Sequence, residues 1–273
     1  MREGHRRGTS RRDLADRARR GTDTRRRDDE EPLIFGVHAV EAALANPQRV
    51  IRKLFLTDNA ERRLHAALAA RQLAHERVLP RDLDRRLGPD TVHQGALIEA
   101  APLPEPTLAE LAENAAGRPL IVLDQVTDPH NVGAILRSAA VFGAAGLVMT
   151  RRHSPPLGGA LAKSASGALE IVPVALVQNL ARVIADLKEL DFTVMGLDGD
   201  ATEQIEDTGW PEHVALVLGA EGKGLRQLTR ESCDKLVRVA ANGAFASLNV
   251  SNAAAVALHW AAAQRLGLVR AGA

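Results

Sequence analysis

The chain alternates between short apolar runs and longer stretches in which apolar residues recur every three or four positions. Apolar runs of four to six residues bounded by glycine or polar residues are typical of buried strands. These runs lie at 119–123, 146–150, 169–174, 192–197, 214–218 and 236–239. The stretches with helical spacing lie at 108–115, 132–142, 160–167, 180–190 and 253–264. Strands that alternate with helices predict an α/β fold in which helices cover both faces of a parallel sheet.

A smaller unit with its own pattern precedes these elements. From Pro32 onward, helical spacing and short apolar runs alternate up to Ala101. We predict helices at 38–44, 60–73 and 81–87 and strands at 53–57 and 95–100. Three closely spaced prolines (Pro102, Pro104 and Pro106) then indicate a stiff linker. The pattern predicts an N-terminal α/β domain over 32–101, a linker with a short helix over 102–118, and a larger domain over 119–273.

The first 31 residues differ from the rest of the chain. They contain 11 Arg and 8 Asp or Glu, a net charge of +3, and almost no apolar residues. Such a segment cannot bury enough surface to offset its ordering, so we predict a disordered Arg-rich tail. It is either a solvated extension or an arm that contacts RNA phosphates. The remainder carries a net charge of −2, so a polyanionic partner must be bound by local patches or with the help of the tail.

Cysteine and histidine usage excludes several classes of protein. Cys233 is the single cysteine, so no disulfide can form within the chain, and we interpret this residue, which lies in a polar helical stretch, as structurally incidental. The nine histidines show no CxxC, HxxxH or HExxH spacing, and we expect no metal site. The N-terminus lacks the apolar segment of a secretory signal, and no apolar run is long enough to span a membrane. We therefore expect a cytoplasmic protein.

Three polar stretches follow predicted strands of the larger domain. The first, 128–137, contains Asn131, which can cap the following helix, and Arg137 about two turns further on. The second, 219–224, is rich in glycine and contains Glu221, but it fits neither a Walker A loop nor a dinucleotide fingerprint. The third, 247–252, supplies serine and asparagine before an Ala-rich helix. Taken singly, each stretch also has a purely structural explanation: a capped surface helix with a solvated Arg137 for the first, a strand-to-helix turn for the second, and helix capping for the third.

Together and in this order, the three stretches resemble the motifs of the SpoU (TrmH-like) RNA ribose 2'-O-methyltransferases. The resemblance covers 119–265 and implies a SPOUT-type parallel sheet with a deep trefoil knot, a fold too rare to propose from pattern alone. The N-terminal domain, with GVHAVEAAL at 36–44 and His93-Gln-Gly95 before the linker, resembles the RNA-binding domain of the ribosomal protein L30e type. That domain occurs in the branch of the family that methylates a guanosine of bacterial 23S ribosomal RNA.

The resemblance also implies roles for individual residues. The catalytic residues would be five side chains, Asn131, Arg137, Glu221, Ser247 and Asn249. The cofactor, S-adenosylmethionine, would lie against the backbone of Gly219, Val239 and Leu248. One departure is visible, because relatives commonly continue the strand before the third motif into proline, whereas Val239 is followed here by Ala240-Ala241. Family members form homodimers through the catalytic domain, and the Ala-rich helix 253–264 is compatible with such an interface or with an ordinary core.

The implied reaction is the attack of a ribose 2'-hydroxyl on a sulfonium methyl group, which needs positioning and removal of a proton. Two roles are open for Arg137. Either the guanidine accepts the proton, or the guanidinium stays charged, binds the adjacent phosphate through two hydrogen bonds and stabilises the developing alkoxide. A guanidinium pKa above about 12 favours the second role.

Other functions remain open at this stage. A ribose methyltransferase of the same family could act on transfer RNA or on another ribosomal RNA nucleotide, including an adenosine whose methylation confers antibiotic resistance. A catalytically silent RNA-binding factor in ribosome assembly could use the same fold, although such a factor has no chemical need of Arg137, Glu221 and Asn249. An oxidoreductase is disfavoured because the dinucleotide fingerprint is missing.

Overall fold

The computed structural model describes residues 32–242 and 248–269. The N-terminal part contains a mixed four-stranded sheet with the order β1-β4-β2-β3, in which β4 is antiparallel to both β1 and β2 and β3 is parallel to β2. Three helices accompany this sheet. These elements are β1 (Leu33–Phe35), α1 (Val37–Ala45), β2 (Ile51–Leu56), α2 (Asp58–Arg71), β3 (Glu76–Arg77), α3 (Pro80–Leu87) and β4 (Ala96–Ala100).

The rest of the described chain forms a seven-stranded sheet with the order β7-β6-β5-β10-β8-β11-β9, and all its strand pairs are parallel. Its elements are α4 (Leu108–Glu113), β5 (Leu120–Asp124), α5 (Pro129–Phe142), β6 (Gly146–Thr150), α6 (Gly159–Ala165), a 3-10 turn (Ala168–Glu170), β7 (Val174–Val177), α7 (Leu180–Glu189), β8 (Thr193–Leu197), β9 (Glu203–Gln204), β10 (Val214–Gly219), α8 (Gln227–Ser232), β11 (Lys235–Arg238) and α9 (Val250–Arg265). The predicted α/β fold with a parallel sheet is confirmed.

One predicted strand was wrong. Residues 169–174 were expected to form a strand, but the chain makes a 3-10 turn at Ala168–Glu170 and the strand begins only at Val174. Gly167, with a φ of 96°, starts the turn in the left-handed conformation that glycine adopts easily. Pro173 has no N–H for a sheet ladder, and its carbonyl alone contacts β6, accepting from Leu147 N at 2.9 Å, so the run 171–173 connects the turn to β7.

The two sheets share one continuous apolar core. Ile34 and Val40 of the N-terminal part belong to the same buried cluster as Ile135 of α5 and Leu161 of α6. The chain from Pro32 onward forms a single compact unit. The N-terminal sheet is thus packed against the helices of the parallel sheet, whereas the division into domains at 101 and 119 stays a prediction.

The predicted Arg-rich tail, 1–31, lies outside the described residues. Of the helices in the described part of the chain, none is both long enough and apolar enough to cross a membrane.

Candidate active site at the carboxyl edge of the parallel sheet

The first polar stretch places Asn131 inside helix α5 and not at its cap. Asp128 caps the helix, because its carboxylate accepts a hydrogen bond from His130 N at 2.9 Å, and Pro129 occupies the first helical position. The sequence-based expectation that Asn131 caps this helix was therefore wrong. The Asn131 side chain is instead buried and turned toward the glycine-rich stretch, where its Nδ2 donates to Glu221 Oε2 at 3.2 Å.

The glycine-rich stretch forms a tight loop after β10. Gly224 N donates to Ala220 O at 2.8 Å, and the two residues pair as an isolated antiparallel bridge. A Cβ atom on Gly219 would lie 2.1 Å from the carbonyl carbon of Gly224, so no other residue fits at this position without moving the loop. The loop therefore returns on itself and presents Glu221 at its tip.

The third polar stretch brings Asn249 to the same place. Asn249 caps α9 by accepting from Ser251 N at 2.9 Å, which confirms the capping expected from its sequence. Its Nδ2 donates to Asn131 Oδ1 at 3.1 Å and to Glu221 Oε1 at 3.4 Å. Asn131, Glu221 and Asn249 therefore form one hydrogen-bonded group from three separate stretches of the chain, which we call the amide–carboxylate cluster.

Of the other two predicted catalytic residues, Arg137 is described and is not part of this cluster. Arg137 lies on the exposed face of α5 and forms no hydrogen bond or ion pair with any residue in the described ranges. It is four residues before Val141, which is also exposed, so the two side chains share one helical face. Ser247 lies outside the described residues.

Sequence reasoning missed a second interaction that holds the glycine-rich loop. Asp124, at the carboxyl end of β5, is fully buried. Its carboxylate accepts from Arg226 N at 3.0 Å and from Arg226 Nε at 2.6 Å. Because only Leu225 separates Arg226 from the glycine-rich loop, this bidentate interaction fixes the returning end of the loop on β5. The only signal in the sequence was an acidic residue at the end of an apolar run.

The predicted cofactor positions lie at the same edge of the sheet. Gly219 ends β10, Val239 directly follows β11, and Leu248 precedes the Asn249 cap. Within the described part of the chain, no hydrogen bond involves the backbone N–H of Val239 or of Leu248, and the Leu248 side chain is half-exposed. Free backbone donors beside an apolar side chain are chemically suited to the polar edge and apolar face of an adenine ring.

The departure from the family pattern at Ala240 has a structural counterpart. Ala240 N donates to Glu206 Oε2 at 3.1 Å, and this hydrogen bond ties the exit of β11 to the segment after β9. A proline at this position would have no N–H to donate. Ala240 therefore makes a backbone hydrogen bond here that a proline could not make.

Neither metal ligation nor thiol chemistry is indicated here. In the ranges 32–242 and 248–269 no group of three or more His, Cys, Asp or Glu side chains could hold a metal ion. Cys233 directly follows α8, and burial raises the pKa of its thiol to about 11. The thiol is therefore protonated at neutral pH and unreactive as a nucleophile.

Two family models match the chain. The model of the SpoU rRNA Methylase family matches residues 118–259, and the model of RNA 2'-O ribose methyltransferase substrate binding matches residues 33–106. The first match contains Asn131, Glu221 and Asn249 together, so the amide–carboxylate cluster lies within it.

Individual proteins agree with these matches. The 23S rRNA (guanosine-2'-O-)-methyltransferase RlmB of Pseudomonas putida is 40% identical over 243 residues, 85% of this chain and 96% of the relative. The RlmB protein of Ralstonia nicotianae is 40% identical over 238 residues, with the same two shares covered.

Solved structures show the same fold. The SpoU methyltransferase AviRb of Streptomyces viridochromogenes, in complex with AdoMet, superimposes with a TM-score of 0.72 at 24% identity, covering 86% of this chain and 90% of that chain. An rRNA methyltransferase of Sinorhizobium meliloti gives a TM-score of 0.73 at 21% identity, covering 88% and 90%. From both family models and the extent of identity with RlmB proteins, the chain belongs to the SpoU rRNA methylase family, in its RlmB-like branch.

Proposed function

We propose that this protein transfers a methyl group from S-adenosylmethionine to the ribose 2'-hydroxyl of a guanosine in 23S ribosomal RNA. The observation that carries the proposal is the amide–carboxylate cluster, in which hydrogen bonds of 3.1 to 3.4 Å join residues from three distant stretches of the chain. The relatives named above are 40% identical over almost their whole length. Their activity is the reason for proposing a guanosine of 23S RNA as the substrate.

Glu221 and Arg137 have different roles in the proposed reaction. S-adenosylmethionine, when bound, supplies a methyl group that its sulfonium charge has already activated. Glu221, held by two amide donors, keeps a fixed carboxylate at the tip of its loop and orients the ribose. Arg137 has no protein partner in the described part of the chain, so its fork of N–H groups is available to the phosphate next to the target nucleotide. The same positive charge stabilises the alkoxide that forms when the hydroxyl loses its proton.

We assign substrate binding to the N-terminal part, residues 32–101, with a fold of the L30e type. The match of residues 33–106 to a substrate-binding family model supports this assignment. The chain has no Tyr and only 3% aromatic residues, so base stacking contributes little. Recognition then rests on RNA shape and phosphates, and since ribosomal RNA is the substrate we propose that the enzyme acts in the cytoplasm.

We further propose a deep trefoil knot and a homodimer. Membership of the SpoU family supports the knot, and the strand order is compatible with it, because the chain passes β8 between β10 and β11. Exposed apolar side chains support the homodimer. Val141 on α5 is 76% exposed and Val256 on α9 is 39% exposed, and these two helices pack against each other. Arg137 shares a face with Val141, so a dimer formed there places the active site near the interface.

The first experiment is methyl transfer from labelled S-adenosylmethionine to 23S, 16S and transfer RNA, with Arg137→Ala as control and mapping of the product. The proposal expects label on the 2'-oxygen of a 23S guanosine and loss of that label in the control. Label on transfer RNA would retain the reaction and overturn the substrate. Absence of S-adenosylmethionine binding would overturn the enzyme altogether and favour a silent RNA-binding factor.

A further inference from the structure

A buried ion pair joins the N-terminal part to the parallel-sheet part. Arg49 lies in the loop before β2, and Glu170 ends the 3-10 turn after α6; their side chains are only 2% and 4% exposed. Arg49 Nη2 donates to Glu170 Oε1 at 2.7 Å, and Arg49 Nε lies 3.1 Å from each carboxylate oxygen. The guanidinium fork therefore meets the carboxylate along one edge, a geometry that fixes both distance and angle.

The groups around the pair complete its hydrogen bonding. Asn46 Nδ2 donates to Glu170 Oε2 at 2.8 Å, and Arg49 Nη1 donates to Ala101 O at 2.9 Å. Arg71 Nη2 donates to the backbone oxygen of Arg49 at 2.9 Å. The pair thus ties together the end of α1, the start of the linker and the turn after α6.

Two glycines before Glu170 approach the N-terminal part closely. A Cβ atom on Gly167 would lie 2.6 Å from Ala42 Cβ of α1, and one on Gly158 would lie 3.0 Å from Pro32 Cβ. These contacts fix α6 and its following turn against the N-terminal part. The charged pair lies within a closely fitted interface.

The same turn and helix lead to the amide–carboxylate cluster. A Cβ atom on Gly133 of α5 would lie 2.5 Å from Ser164 Cβ of α6. Ser164 Oγ donates to His130 O at 3.1 Å, in the first turn of α5, next to Asn131. A continuous series of close contacts therefore runs from Glu170 through α6 to the active site.

A buried ion pair is a weak source of net stability, because an apolar pair of similar volume holds a fold equally well. Unlike an apolar contact, it is directional. Apolar surfaces can slide past each other, whereas a guanidinium and a carboxylate joined by parallel hydrogen bonds keep one relative orientation. We propose that Arg49 and Glu170 are positioning residues that fix the orientation of the substrate-binding part relative to the active site. This inference rests on the proposed function. It adds that RNA bound by the substrate-binding part is presented to Arg137 in one fixed position.

The proposal predicts a specific kinetic signature. If the pair only orients the two parts, its loss lowers the fraction of complexes in which the ribose is aligned and leaves each binding surface intact. We expect kcat to fall about tenfold or more while the dissociation constants for RNA and for S-adenosylmethionine change less than about twofold. A role limited to folding would lower the thermal midpoint and leave kcat of the folded fraction unchanged.

The test variants are Glu170→Gln, which removes the charge at constant shape, and Arg49→Lys, which keeps the charge and removes the fork. Glu113→Gln and Arg182→Lys are matched controls, since both side chains are exposed. Orientation is read as the distance distribution between spin labels at Ala66→Cys on α2 and Glu189→Cys on α7, both exposed positions, in a Cys233→Ala background. We expect one narrow distance in the parent and in the controls, and a broadened distribution in the two test variants.

A further variant covers the case in which a single substitution prevents folding. Arg49→Met combined with Glu170→Leu removes both charges and restores apolar packing, so it is expected to fold. The proposal expects this double variant to retain a broad label distribution and a low kcat. A narrow distribution with the parental kcat would overturn the proposal, because any well-packed contact would then suffice.

The experiment separates this proposal from the proposed function. If the parent protein methylates no RNA, the proposed function fails, while the label distances still decide whether the pair fixes the two parts. If the parent is active and the test variants keep a narrow distance and a normal kcat, only the positioning role fails.

Discussion

At the residue scale, Glu221 is the acceptor that makes the amide–carboxylate cluster possible. Each of its carboxylate oxygens accepts from a different amide, Oε2 from Asn131 and Oε1 from Asn249. A carboxylate is acceptor-only, whereas a carboxamide must place an NH₂ group where one oxygen stood. Replacing Glu221 by glutamine therefore changes the hydrogen bonds of the side chain while its shape stays the same.

We predict that Glu221→Gln loses roughly 10- to 100-fold in kcat/KM for RNA, which corresponds to about 1–3 kcal/mol for a mismatched polar group. The reason is that the new amide opposes one of the two existing donors and leaves it unpaired. Steady-state methyl transfer measures the effect, with Glu189→Gln, an exposed carboxylate on α7, as the control. A Glu221→Gln enzyme as active as the control would show that the cluster does not need the charge.

Substitutions of Arg137 test, also at the residue scale, how the proposed reaction is catalysed. Lysine keeps the positive charge but has no planar fork, so it cannot donate two parallel hydrogen bonds to a phosphate. We predict that Arg137→Lys loses on the order of 100-fold in kcat, approaching the loss in Arg137→Ala, because positioning and charge are both required. Binding of S-adenosylmethionine, followed by calorimetry, should stay unchanged in both variants. Turnover of the lysine variant near that of the parent would rule out the bidentate role.

At the scale of elements, the contact between α5 and α6 determines where Asn131 lies. Gly133 is buried in α5, and its missing side chain lets α6 approach, since an added Cβ atom would meet Ser164 Cβ at 2.5 Å and Ala165 N at 2.8 Å. The second of these is a backbone atom, so the strain cannot be relieved by rotating a side chain. The two helices must move apart or the fold must lose stability.

We predict that Gly133→Ala lowers the thermal midpoint of unfolding by roughly 2–10 °C, as expected for about 1–3 kcal/mol of overpacking in a chain of this size. Gly209→Ala is the matched control, because nothing lies within 4 Å of a Cβ atom added there. Scanning calorimetry of the two variants makes the comparison. Equal midpoints would show that α6 adjusts freely and does not fix the position of α5.

The elements also show what a single sequence can predict. Apolar periodicity predicted the parallel sheet and most of its helices because burial imposes a period on each element. Helix caps were less predictable: Asn249 caps α9 as expected, but Asp128 with Pro129 starts α5 three residues before the expected cap. Both residue types are good caps, and only the packing of the helix decides which one is used.

Long-range polar pairs could not be predicted from the pattern. Arg49 and Glu170 are separated by 121 positions, and Arg226 and Asp124 by 102. Nothing in their local sequences distinguishes them from solvated charges, which are far more common. The family motifs predicted that Asn131, Glu221 and Asn249 belong to one site, but the hydrogen bonds among them appear only when three strands end at one edge.

At the scale of the whole molecule, the proposed substrate-binding part and the candidate active site belong to one compact unit. The apolar cluster that fills the N-terminal sheet continues under α5 and α6, so the two parts are held by burial along a wide surface. Because the hydrophobic effect is non-directional, this burial holds the two parts together without fixing their relative orientation. In our proposal, the Arg49–Glu170 pair fixes the relative orientation of the two parts across that surface. This role accounts for two charged side chains buried to 2% and 4% exposure.

The proposed homodimer belongs to the same scale and gives the last prediction. Val141 is 76% exposed on α5, on the face that carries Arg137, so its side chain is available for an apolar contact with a second copy of the chain. In a two-fold dimer each substitution is present twice at the interface. We predict that Val141→Asp weakens dimerisation by about 100-fold or more, because each copy buries an unpaired carboxylate, while the free monomer keeps its fold because the site is exposed.

Sedimentation velocity measures the dimer, and Val92→Asp is the control, since Val92 is 62% exposed in the loop between α3 and β4 of the N-terminal part. The parent and the control should sediment as dimers at micromolar concentration and Val141→Asp as a monomer. Methyl transfer should fall together with the dimer, because Arg137 loses the partner surface beside it. A monomeric parent with full activity would contradict the dimer, and Val141 would then be an isolated apolar side chain of the kind that any protein surface tolerates.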